Sequence, residues 1–169
     1  ETAPAPQNAP GAAPAAPRVV NIQYIKDLSF EVPGAPAVFT TLRAAPRVDL
    51  NLDVQARRVT DGQDVFEVIL AIRADAVDPN TPTNGEAPAR VFLAELAYAG
   101  VFTLSGIPEN TMEPVLLVEC PRILFPFARN ILAEVTRDGG FPPVLMQPID
   151  FLALWQSRRG MAAPAAGQG

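Results

Sequence analysis

The chain has 169 residues, a formal net charge of −5, one cysteine, one lysine and no histidine. Without an imidazole there is no Ser-His-Asp or Cys-His triad. A single cysteine supplies neither a Cys/His zinc site nor a disulfide framework, and a pI near 4.7 opposes nucleic-acid binding and polybasic membrane attachment.

Residues 1–17 hold five prolines, seven alanines and one charge. They lack the basic and apolar regions of a signal peptide. Residues 160–169 are again rich in Gly, Ala and Pro, and both tails are expected to be disordered because they bury too little apolar surface to offset their ordering entropy. The length left, 18–159, suits one domain. No uncharged apolar run approaches the length of a bilayer span. The expectation is a soluble cytosolic protein with no direct membrane insertion and no nucleic-acid partner.

Four segments carry the two-residue period of half-buried strands. The first is expected to place Val20, Ile22, Tyr24, Leu28 and Phe30 on one face, with Asn21, Gln23, Asp27, Ser29 and Glu31 on the other. In the second, Val48, Leu50, Leu52 and Val54 alternate with Arg47, Asp49, Asn51, Asp53 and Gln55. A turn at Thr60-Asp61-Gly62-Gln63 predicts a hairpin into the third strand,. There Phe66, Val68, Leu70, Ile72 and Ala74 oppose Glu67, Arg73 and Asp75. A loop over 78–88 leads to the fourth, where Phe92, Ala94, Leu96 and Tyr98 alternate with Leu93, Glu95 and Ala97.

After Gly106 the period becomes helical. Ile123, Phe127, Ile131 and Val135, flanked by Leu124, Ala128 and Leu132, predict an amphipathic helix ending at Gly139-Gly140, with Pro126 making it begin late or kink,. A shorter helix is expected around 111–118. Asp150 caps a last helix with Phe151, Leu154 and Trp155 as its apolar stripe,. Strands followed by helices predict an α+β fold on an antiparallel sheet.

The chain has no glycine-rich phosphate loop before Lys26 and no G-x-G-x-x-G after a strand,. Asp27 and Glu31 share a strand face but stand about 13 Å apart, too far for a carboxylate pair at one reacting atom. The face they share with Glu95 reads either as a solvated polar surface or as a flat acidic docking surface. Leu93, Ala97 and Val101 make it less polar than a fully solvated face,. Cys120 reads as a buried small hydrophobe.

Three ordered motifs go further: Cys120-Pro121-Arg122-Ile123-Leu124-Phe125-Pro126-Phe127-Ala128-Arg129, Gly140-Phe141-Pro142-Pro143 and Pro148-Ile149-Asp150-Phe151. With Tyr24-Ile25-Lys26-Asp27-Leu28-Ser29-Phe30-Glu31, Phe92-Leu93-Ala94-Glu95 and Gly100-Val101-Phe102 upstream, the chain resembles SecB, the bacterial protein-export chaperone family, over about 19–157. The resemblance implies a homotetramer, a dimer of dimers with long helices between two sheets. It implies no catalysis and no cofactor. SecB proteins hold unfolded precursor polypeptides and pass them to the motor ATPase SecA. By matching positions it implies that the basic C-terminal tail of SecA docks on Asp27, Glu31, Leu93 and Glu95. It likewise implies a client groove that includes Val48, Leu50, Leu52, Phe92, Cys120, Phe151 and Trp155. An alternative within the same fold is a dedicated SecB-like chaperone of a toxin–antitoxin pair. The resemblance departs at the crossover, where many relatives carry a tryptophan and this chain reads Thr41-Leu42-Arg43-Ala44-Ala45.

Overall fold

A computed structural model describes residues 18–81 and 84–162. The tail over 1–17 and most of the one over 160–169 lie outside these. Four long strands, β1 (Arg18–Glu31), β2 (Arg47–Arg58), β3 (Val65–Val77) and β4 (Arg90–Leu104), form one antiparallel sheet in the order β1-β4-β3-β2. Strands β2, β3 and β4 run consecutively as a meander. The chain reaches β2 from β1 through a crossover containing the single turn α1 (Val38–Thr41). This is the α+β sheet-and-helix arrangement that the sequence predicts.

In the meander the face of each residue is set by its parity. Phe66 pairs with Phe102, Leu70 with Tyr98, Ile72 with Leu96 and Ala76 with Phe92, all on the face covered by helices. Val48, Leu50, Leu52, Val54 and Ala56 continue that face onto β2. Odd-numbered residues occupy the outer face, except at a bulge at Val91, where Val77 pairs with Arg90, so that Val91 turns into the core and Arg90 turns outward. The hairpin turn between β2 and β3 forms where expected, with Gly62 at φ +77°.

Strand β1 departs from the expected alternation. Its pairing with β4 slips between Val20 and Ile22 and again between Ile25 and Asp27, leaving Asn21 and Lys26 as extra residues. Each β-bulge reverses the facing of the residues beyond it. Phe30, Leu28 and Ile25 therefore lie opposite Ala94, Leu96 and Tyr98 on the helix face. Tyr24 and Ile22, expected there, pair with Ala99 and Val101 on the outer face instead. Gln23, expected outside, lies opposite Gly100 and accepts a hydrogen bond from the Tyr98 hydroxyl at 3.4 Å.

The helical part is continuous from α2 (Glu109–Pro114) through a π-helical turn (Val115–Glu119) into α3 (Cys120–Asp138). Pro121 cannot donate a backbone hydrogen bond. The wider turn just before it lets Cys120 N–H reach back to the Val115 carbonyl,. The helix runs through Pro126 without beginning late there.

The line of α3 that meets the core is Cys120, Leu124, Ala128, Leu132 and Thr136. That is one residue round from the expected stripe: Ile123, Ile131 and Val135 are half-buried, and Phe127 is half-exposed against Tyr98. Gly100 explains the rotation. A Cβ there would lie 2.9 Å from Leu124, so its absence lets this side of the helix settle onto β4. The helix ends in a Schellman arrangement, with Gly140 at φ +92° and Phe141 N–H bonded to the Thr136 carbonyl,. Helix α4 (Phe151–Ala162) starts where Asp150 Oδ1 accepts the Ala153 N–H at 3.0 Å, as the capping pattern predicts,. It continues past residue 159, where composition alone ends the fold.

Candidate functional site

The outer face of the sheet collects the first predicted set. Asp27 pairs with Ala97, Ser29 with Glu95 and Glu31 with Leu93. The bulge at Lys26 ends just before them, so all four predicted residues lie on one face across two adjacent strands. Asp27, Glu31 and Glu95 are open to solvent to different degrees, while Leu93 is buried. A shallow depression of about 310 Å³ lies between Asp27, Asp53, Arg73 and Glu95, with the small residues Ala71 and Ala97 on its floor.

Register also brings in charges that periodicity does not assign to the set. Arg73 on β3 pairs directly with Glu95. Arg90 holds Asp75 with two hydrogen bonds of 2.9 and 2.8 Å. That fork keeps the Asp75 carboxyl below its ordinary value, against the effect of its partial burial. The acidic face is therefore interleaved with two guanidinium groups.

Further along the same face, Glu67 of β3 is 2 % exposed. Lys26 Nζ donates to its two oxygens at 2.8 and 3.0 Å, Arg57 Nε donates at 2.6 Å, and the Tyr24 hydroxyl donates to Oε1. Burial acts to raise the Glu67 carboxyl, but the hydrogen bonds from Lys26, Tyr24 and Arg57, together with the Lys26 charge, bring it down to about 2,. Burial first, then the Glu67 hydrogen bond and charge, push Tyr24 up to about 12.

The opposite face holds the second predicted set. As an edge strand, β2 leaves its helix-side row only partly covered: Val48 and Leu52 are half-buried and Leu50 is 38 % exposed. Three depressions border this row. One of about 170 Å³ is lined by Val48, Phe92, Pro142 and Val144 among others. One of about 220 Å³ lies between Val54, Leu117, Leu154 and Trp155. A third of about 320 Å³ lies between Ala56, Met112 and Leu116.

Trp155 is half-buried in the wall. Its Nε1–H donates to Glu113 Oε1 at 3.1 Å, and the Arg159 guanidinium stands 4.9 Å from its ring centroid. Arg158 reaches past the β2 edge to Asp53 and to the Leu52 carbonyl. Phe92, Cys120 and Phe151 are instead buried in the core of this chain. Of the three, Phe92 borders a depression. The residues missed by sequence reasoning here are Val54, Leu117, Glu113 and Arg158; Val54 shares the parity of Val48 and is legible in that sense.

A family model described as "Preprotein translocase subunit SecB" matches residues 12–162. The chain belongs to the SecB family. The Protein-export protein SecB of Granulibacter bethesdensis is 67 % identical over 144 residues, covering 85 % of this chain and 82 % of the relative. That of Acidiphilium cryptum is 62 % identical over 149 residues, covering 85 % and 90 %. Among solved structures, the fold is similar to the Mycobacterium tuberculosis Rv1957 SecB-like chaperone, seen in complex with a ChAD peptide from the Rv1956 HigA1 antitoxin. The TM-score is 0.61 at 14 % identity, covering 78 % of this chain and 90 % of that one.

This SecB-family chain is thus a chaperone of protein export and not an enzyme. Export-named relatives are 47–67 % identical to it over the aligned residues, so a dedicated toxin–antitoxin role is not favoured. Among the described residues, no helix is long and apolar enough to cross a membrane.

Proposed function

We propose that this chain works in the cytosol as a homotetramer, a dimer of dimers. It holds unfolded precursor polypeptides along the β2–α4 groove and docks SecA on the outer sheet face through Asp27, Glu31, Leu93 and Glu95. The carrying observation is that β1 and β4 bring these four residues onto one face while the apolar row Val48–Leu50–Leu52 lies on the other. A partly uncovered apolar groove suits an extended client segment, because covering such segments prevents their burial against one another. A face with three carboxylates suits a basic docking tail, with charge setting encounter rate and specificity.

Val48, Leu50, Leu52 and Trp155 act at the groove surface. Phe92, Cys120 and Phe151 support it from beneath. Calorimetry with SecA, comparing the native chain with Asp27→Ala/Glu31→Ala/Glu95→Ala at matched salt, tests the docking assignment, and light scattering on the same samples tests the tetramer. Salt-sensitive binding that disappears in an intact mutant tetramer is the expected result. A folded native tetramer that does not bind SecA overturns the docking assignment.

A further inference from the structure

Glu67 contributes no side chain to the predicted docking set, yet it is a buried carboxylate that joins three strands from the same sheet face. Lys26 and Tyr24 reach it from β1 and Arg57 from β2, while it stands on β3. Lys26 is the extra residue of the second β1 bulge. With Leu28 and Phe30 turned to the helix face, unbroken alternation would turn residue 26 inward as well. The bulge lets the ammonium turn outward instead, and Glu67 is the group that receives it. Asp27 comes directly after, opposite Ala97.

We propose that Glu67 is a positioning residue for the docking face: by holding the Lys26 bulge against β3 it fixes where Asp27 stands relative to Glu95 and Glu31. This inference rests on the docking role proposed above. Bulges re-aim the side chains beside them, and a bulge whose extra residue is held at 2.8 and 3.0 Å by a buried carboxylate has one place in the strand. Without that hold the extra residue shifts along β1, and Asp27 moves first. The pair has a second effect of opposite sign, since Lys26 adds a cation beside an acidic face. The two effects separate in experiment.

The test uses the full chain, with the basic tail peptide of SecA as probe and an unfolded precursor as control, under conditions where each variant has native mass and melting behaviour. By charge alone, Lys26→Met makes the face more negative and tightens peptide binding. By positioning, it weakens binding about fivefold, the scale of a lost charge-assisted contact. Lys26→Arg, which still reaches Glu67, stays within about twofold of native, and precursor affinity is unchanged in both. Glu67→Gln, which also removes a negative charge from this face, weakens peptide binding at least as much as Lys26→Met does, and the double variant is no weaker than Glu67→Gln alone. If Glu67→Gln does not assemble, Lys26→Met decides alone.

Equal or tighter binding by Lys26→Met, with the native chain binding, overturns the positioning role and leaves the docking role standing. Loss in Lys26→Arg equal to that in Lys26→Met overturns it too. A native chain that does not bind the peptide overturns both.

Discussion

The ring of Phe30 lies over Gly139 so closely that a Cβ on the glycine would stand 2.1 Å from Phe30 Cε1. This contact seats the end of α3 on β1. It belongs to an aromatic group in which Phe30 is 5.4 Å from Phe92, Phe92 is 5.0 Å from Phe141, and Phe141 is 5.3 Å from Phe39, measured between ring centroids. The backbone of Gly139 is ordinary helix at φ −74°, so space and not conformation requires glycine there. Gly139→Ala is expected to cost about 1–3 kcal/mol, the range for overpacking a fitted core. Urea denaturation checks this, and Phe30→Leu in the same background should recover part of the loss.

The pairing of Arg73 with Glu95 gives a prediction of unusual sign. Removing the arginine frees a carboxylate on the acidic face, so Arg73→Ala should tighten binding of a basic peptide by about twofold to fivefold at low salt, the worth of an exposed pair. The gain should fade as ionic strength rises and screening sets in. Calorimetric titrations at two salt concentrations would show it, and weaker binding would place the peptide elsewhere.

The buried carboxylate network makes stability depend on pH at both extremes. Glu67 titrates at about 2 in the folded chain against an ordinary 4.5. Its contribution is complete above the ordinary value and is lost as pH falls through about 2. Tyr24 titrates at about 12 against 10.0, so its contribution is complete below 10.0 and is lost as pH rises toward 12. Denaturation midpoints across the pH range should show both shoulders. Glu67→Gln should flatten the acid one, and Tyr24→Phe should flatten its part of the alkaline one.

Helix α4 is fastened to the sheet edge by Arg158, which bonds Asp53 and the Leu52 carbonyl. Arg158→Ala should raise amide hydrogen exchange across 151–162 about tenfold while leaving α3 protected, because opening becomes local to α4. Exchange measured by mass spectrometry reads this directly.

Client affinity should track exposure along the groove. Leu50→Ser and Trp155→Ala are expected to weaken binding of an unfolded precursor about fivefold each while the sheet stays folded, since both side chains are only partly covered in this chain,. Phe151→Ala should instead lower stability by about 3–5 kcal/mol, as a core aromatic does. Fluorescence titration beside thermal melts separates the two kinds of loss.

Much of this architecture is legible in the residues. The unbroken alternation of Val48–Val54, Phe66–Ala74 and Phe92–Tyr98 states both faces of β2, β3 and β4, and Asp150 states the start of α4. Strand β1 is not legible in that way. Its bulges at Asn21 and Lys26 have no local signature, because what receives Lys26 is a glutamate 41 positions later. Periodicity places the apolar line of α3 one residue out, since Leu124 and Ile123 look alike until Gly100 is known to lie opposite. Val48, Phe92 and Phe151 are equally apolar in sequence, and only packing separates the groove surface from its support.

Because β2, β3 and β4 alternate without a break outside the bulge at Val91, even positions build one surface and odd positions the other, and their codons alternate along the gene. A point change in these strands therefore edits a single surface and leaves the other to drift on its own course. Losing or gaining one codon would exchange the two surfaces from that point on. Such strands should accept many substitutions over time but very few changes of length.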